Sequence, residues 1–163
     1  MLLAFLLALP VQAEATPPRQ PPREEDVVTI VQAILPHAIG AFAAKCQTLL
    51  PPDAYLRRDG ERLAGRMQPL ADIAWPRASP LLARLAAARF TPGASDADKK
   101  TQLFASFDQK VVRDMSAPDC EAVSGLLEPL DPLPPQNLTL LLSRLVETFF
   151  FGTRGATLSS PMH

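Results

Sequence analysis

The sequence predicts an all-α fold, a compact bundle of about five to six helices punctuated by proline. Three observations predict it. Apolar residues recur at three- and four-residue steps through most of the chain, the period of an amphipathic helix. The chain has 18 prolines against 7 glycines, and they cluster between the periodic stretches, as breakers do. No stretch alternates apolar and polar residues in the manner of a half-buried strand. With 47% hydrophobic and 20% charged residues, the composition is that of a folded domain and not of a disordered chain.

The first element is Leu2 to Leu9, an unbroken apolar run ended by Pro10 and followed by Val11-Gln12-Ala13. An apolar core with small residues three apart reads as a secretory signal peptide over 1–13, cleaved after Ala13. No Lys or Arg precedes the run, which departs from the usual signal. The run falls well short of the roughly 20 residues that span a bilayer, so no transmembrane segment is expected in the mature chain. Residues 14–23 form a Pro-rich linker, in which Pro17, Pro18, Pro21 and Pro22 favour an extended chain. A single helical domain is expected over 24–152, with a flexible tail over 153–163.

Within the domain, Glu24, Glu25 and Asp26 suit a helix start, where the macrodipole favours negative charge. Val28, Val31, Leu35, Ile39, Phe42, Cys46 and Leu49 then form one stripe. Its phase is kept across Pro36, which predicts one kinked helix over about 24–49, with two helices as the alternative. Leu56, Leu63, Met67 and Leu70 predict a second helix over about 52–68, weakened by Gly60 and Gly65. Pro69, Pro76 and Pro80 predict breaks, with a short helix at 70–75 and another over about 80–89. Ser95 or Asp96 caps a helix to about 115, with Phe104, Phe107, Val111 and Met115 inward. Cys120, Val123, Leu127 and Leu130 mark a helix over about 118–129. The last helix runs from about Pro135 to Phe151 and stops at Gly152. It is apolar around most of its circumference, as a central core helix or one with an exposed binding side would be.

Cys46 and Cys120 are the only cysteines. Both lie on apolar stripes, and export places them where thiols oxidise, so one disulfide is expected to join the first helix to the fifth. It closes a loop of about 75 residues, worth roughly 4 kcal/mol by chain entropy. A redox site would instead call for Cys-x-x-Cys.

The net charge of −1 gives no footprint for nucleic acid. Charge is nonetheless uneven, with a basic excess over 45–113 and an acidic excess over 114–163. Twelve arginines among the 16 basic residues, together with abundant alanine, fit a GC-rich bacterial source. Asn137-Leu138-Thr139 is then a chance sequon. No metal cluster, Gly-rich phosphate loop or Gly-x-Ser-x-Gly motif is found. His37 stands alone beside Pro36, and a triad around it would need Ser106 and Asp108, which nothing in the sequence brings to it. No catalytic residue, metal or cofactor is therefore expected.

Two features are candidates for binding. Arg58, Arg62 and Arg66 form a stripe suited to an anionic partner, or a solvated face with local ion pairs. Phe42, Leu141, Leu145 and Phe149 are the expected lining of an apolar pocket between the first and last helices. The function expected first is that of an exported, non-catalytic helical protein of the bacterial envelope or secretome, periplasmic or secreted, binding another protein or serving as a structural component. A module for a lipid or other apolar small molecule comes second. An enzyme with a dispersed site comes third.

Overall fold

The computed structural model describes residues 22–85 and 90–148. The expected signal segment, most of the linker, Phe149 to Gly152 and the tail lie outside the described residues. The described chain forms five α-helices, α1 (Glu24–Cys46), α2 (Tyr55–Leu85), α3 (Asp96–Phe107), α4 (Ala117–Leu127) and α5 (Pro135–Val146), with a π-helical turn at Asp108–Val112 and a 3₁₀ turn at Glu128–Leu130. No strand occurs among the described residues.

Helix α1 is the central element. Its buried side includes Val27, Val31, Leu35, Ile39, Ala43 and Cys46, and it packs against α2, α4, α5 and the π-helical turn. It is long and apolar enough to cross a membrane by length and composition. Burial on several sides gives that apolarity an ordinary cause, because a helix surrounded by others needs apolar residues around it. Pro36 sits inside one continuous helix, so the stripe that keeps its phase belongs to a single helix.

Helices α1 and α2 run antiparallel, and small residues set their separation. A Cβ built at Gly60 would lie 2.8 Å from Ala43 Cβ, and one at Gly40 would lie 3.9 Å from Ala64 Cβ. Further along, Ala33, Ala74, Ala78 and Leu82 form a second buried cluster, with Ile30, Trp75, Phe90 and Leu103 packed on it. The larger cluster contains Leu35, Ile39, Leu56, Leu63, Met67, both cysteines, Leu127 and Leu138.

The expected breaks at Pro69, Pro76 and Pro80 do not occur, since all three lie inside the 31-residue helix α2. A proline removes one N–H and leaves the carbonyl four residues earlier without its helical donor. Pro69, Pro76 and Pro80 are exposed, and so are Gly65, Asp72 and Pro76, the residues that carry those carbonyls. Water can satisfy them, while Ala71, Ala74, Ala78 and Leu82 hold the opposite face. The N-terminus of α2 is Tyr55 rather than Pro52, and a neighbouring helix caps it. The buried Leu56 N–H donates to Ser124 Oγ on α4 at 3.0 Å.

Cys46 and Cys120 form a disulfide, with Cα atoms 5.6 Å apart and both residues fully buried. It joins α1 to the helix expected. That helix is the fourth because the helices expected at 52–68, 70–75 and 80–89 are parts of the single helix α2. Helix α5 packs antiparallel along α1, with Arg144 paired to Glu24 at 2.5 Å. Leu138 is its fully buried anchor. Thr139 and Ser143 are buried beside it, each donating its hydroxyl to a carbonyl one turn back. Leu140 and Leu141 face outward, 50% and 41% exposed. The centre of the bundle is thus α1 and not the terminal helix.

Candidate functional site

Helix α3 has a good local start and little burial. Ser95 Oγ accepts from Asp98 N–H at 3.2 Å, and Ser95 N–H donates back to Asp98 Oδ2 at 3.2 Å, a reciprocal cap,. The Ser95 hydroxyl also donates to Asp98 Oδ2 at 2.6 Å, and this bond first, then the Ser95 N–H, holds the Asp98 carboxyl below the usual carboxylate range. Ser79 on α2 donates to Asp96 Oδ1 at 2.8 Å and anchors the same end. Yet no residue of α3 is buried. The helix rests on the α1–α2 pair through Leu103, Phe104 and Phe107, and its far end is held by His37.

His37 Nε2 lies 2.8 Å from Asp108 Oδ1. A carboxylate only accepts, so Nε2 carries the proton. The imidazole also stacks on Phe104, with ring centroids 3.9 Å apart and planes 4° from parallel. Phe107 meets the imidazole edge-on at 6.0 Å. Asp108 opens the π-helical turn, and the extra residue in that turn shifts the inward face by one position. Val112 is consequently buried, while Val111, expected inside by regular spacing, is 46% exposed.

Two cavities lie beneath α3. One is a cleft of about 380 Å³ lined by Ala33, Pro36, His37, Ala64, Gly65, Gln68, Lys100 and Phe104. The other is an apolar void of about 50 Å³ lined by Ile34, His37, Ala38, Leu82, Leu103, Phe104 and Phe107. The stacked pair His37–Phe104 belongs to both linings and forms the partition between them. Lys100 Nζ lies 5.2 Å from the Trp75 ring centroid and 5.9 Å from that of Phe104, a cation over two aromatic faces,. A larger depression of about 550 Å³ at the start of α1 is broad and of mixed charge, with Arg23, Glu24, Glu25 and Arg77 around it.

The expected site residues fall elsewhere. Arg58 pairs with Asp59 at 3.0 Å, and Arg62 with Asp59 at 3.1 Å and Asp131 at 2.6 Å. Arg66 reaches Asp131 Oδ1 at 3.0 Å and also donates to the Asp131 backbone carbonyl. The basic stripe therefore closes on carboxylates of its own chain, one of them from the acidic C-terminal third. Hydrogen bonding to Arg62 holds the Asp131 carboxyl below the usual range, against some loss of hydration. Tyr55 beside it has a buried hydroxyl with no well-formed hydrogen bond among the described residues. Burial foremost, then the Asp131 charge, pushes that hydroxyl up to about 12.

Phe42 packs on the main core and lies 5.7 Å from Phe107. Leu145 is half-buried and Leu141 exposed, while Phe149 lies outside the described residues. None of the three cavities above is lined by Phe42, Leu141 or Leu145. His37, Asp108 and Phe104 are each visible in the sequence, but their association is not. Positions 37 and 108 are 71 residues apart, and no local signal links them. Ser106 makes no hydrogen bond to His37 among the described residues. No family model, curated protein or solved structure matches the chain.

Proposed function

We propose that this chain is an exported, non-catalytic binding domain of the bacterial envelope or secretome, and that it takes a small ligand with an apolar body into the cleft beneath α3. The observation that carries the reading is the cleft itself. It is walled by three helices and floored by Ala33, Pro36 and Ala64, and its volume is within the range of small-molecule sites,. A few polar groups, His37, Gln68 and Lys100, converge on the apolar floor, the usual division of labour in such sites. His37 is fixed by a carboxylate and an aromatic stack, which suits a positioned recognition group. The disulfide and the leader-like first 13 residues support export to an oxidising compartment.

Native mass spectrometry of the protein recovered from the exported fraction tests this reading. The expected species starts at Glu14, is oxidised at both cysteines and carries a small-molecule adduct that Gly65→Leu removes. A chain that keeps Met1, or a wild-type protein that neither carries nor is stabilised by any apolar small molecule, would defeat it. A second reading, in which the chain binds another protein, is favoured by one observation. Leu140 and Leu141 stand exposed side by side on the outer face of α5.

A further inference from the structure

We infer that the ligand of this cleft is a small amphipathic monocarboxylate, its carboxylate at Lys100 and its apolar end directed at the His37–Phe104 partition and the apolar void behind it. The inference rests on the cleft being the binding site. Charge defines the head group. No carboxylate lines the cleft, and Lys100 is its only permanently charged lining residue. Two acids stand one residue behind the lining, each hydrogen-bonded to a lining side chain, Asp108 to His37 and Asp72 to the Gln68 amide at 2.7 Å, and neither is itself part of the lining. Lys99, the neighbouring lysine, is paired with Asp96 at 3.3 Å, whereas Lys100 forms no ion pair among the described residues. Two aromatic faces hold its ammonium in place without neutralising it, leaving its charge for an incoming anion.

The second cavity defines the body. The void has apolar walls apart from His37 and is too small to hold a ligand alone. It shares His37 and Phe104 with the cleft, so a shift of that one stacked pair joins the two spaces. Because no residue of α3 is buried, Phe104 can move with its helix at little cost in packing. A short unbranched chain passing the partition would replace empty space with contact. The cleft mouth is open at Gly65, where an added Cβ would meet nothing within 4 Å. A larger side chain there would block entry without disturbing the helix pair.

The test uses the oxidised full chain and Trp75, its only tryptophan, as an intrinsic fluorescent reporter. Hexanoate, butyrate and acetate are titrated, with hexanamide as the uncharged counterpart of hexanoate. Affinity is expected to rise about three- to fourfold per methylene from acetate to hexanoate, and hexanoate is expected to bind about tenfold more tightly than hexanamide. Lys100→Met should abolish the difference between hexanoate and hexanamide while leaving hexanamide unchanged, with the thermal midpoint as the control for folding. Gly65→Leu should remove binding of both. Equal binding of acid and amide, both lost in Gly65→Leu, would overturn the carboxylate assignment and leave the cleft as the site. Affinity independent of chain length would overturn the role of the void. No binding of any of the four at millimolar concentration would overturn the inference and, unless the exported protein carries some other adduct, the proposed site as well.

Discussion

Gly60 and Gly65 stand five residues apart on one helix, and sequence propensity assigns them the same cost, yet their surroundings predict opposite responses to alanine. Relative to alanine, a glycine inside a helix costs about 0.5–1 kcal/mol, and each substitution regains that amount. At Gly65 nothing opposes the gain, since no atom lies within 4 Å of the new Cβ. At Gly60 the new Cβ would lie 2.8 Å from Ala43 Cβ and 3.0 Å from Leu56 Cδ1, well inside the optimum of about 3.5–4.0 Å for carbon pairs. Leu56 can turn away, but Ala43 Cβ is fixed to its backbone, so α1 and α2 must part. Overpacking of this kind costs about 1–3 kcal/mol, which leaves Gly60→Ala destabilised by up to about 2.5 kcal/mol after the propensity gain. Because both variants regain the same propensity, they should differ by the overpacking cost alone, about 1–3 kcal/mol, in urea unfolding of the oxidised protein. At about 2–4 °C per kcal/mol for a domain of this size, their thermal midpoints should separate clearly. A Gly60→Ala protein as stable as Gly65→Ala would refute the close approach of α1 and α2.

Three further outcomes follow from the core and its charges. Replacing Cys46 and Cys120 together by alanine should lower stability by about 2–4 kcal/mol, and in the native oxidised protein neither should react with an alkylating agent. Free thiols under those conditions would contradict the bridge. Tyr55, with its raised folded-state value of about 12, favours the native state fully below pH 10 and loses that contribution as pH rises towards 12, by about 2–3 kcal/mol. Tyr55→Phe should remove this alkaline loss and leave stability at pH 7 little changed, because the buried hydroxyl makes no well-formed hydrogen bond among the described residues,. Asp131 works in the opposite sense. Its lowered value means stability present above about pH 4 that disappears as pH falls through the folded-state value. Asp131→Asn should cost about 1–3 kcal/mol at pH 7 and flatten the acid limb, which denaturant titrations at several pH values will show.

Much of this fold was legible because helical period and burial agree. The stripe through Val31, Leu35, Ile39 and Cys46 is the buried side of α1, and Leu56, Leu63 and Met67 are buried on α2. The bridge between Cys46 and Cys120 was readable from their shared apolar setting. Proline misled in α2, because its effect depends on where the orphaned carbonyl points. At Pro69, Pro76 and Pro80 it belongs to an exposed residue, and packing on α1 carries the helix through. Spacing misled at Val111, where a π-helical turn adds a residue that no amphipathic pattern announces,. Alanine and glycine form the α1–α2 seam, and a hydropathy stripe drawn on leucine passes over them. The candidate site was least legible of all. Its polar groups come from three helices, and the pairing of His37 with Asp108 exists only once α3 is laid across α1.

The candidate site depends on that placement of α3. Hydrogen exchange of the oxidised protein, followed peptide by peptide, measures it directly. The amides of α3 and of 108–112 should open locally and exchange at least about a hundredfold faster than those of α1 and the first half of α2, since local stability follows buried contact. Hexanoate, as ligand, should slow them selectively. Exchange of α3 at the same slow rate as α1, unmoved by any ligand that binds, would contradict a loosely seated helix over a binding cleft.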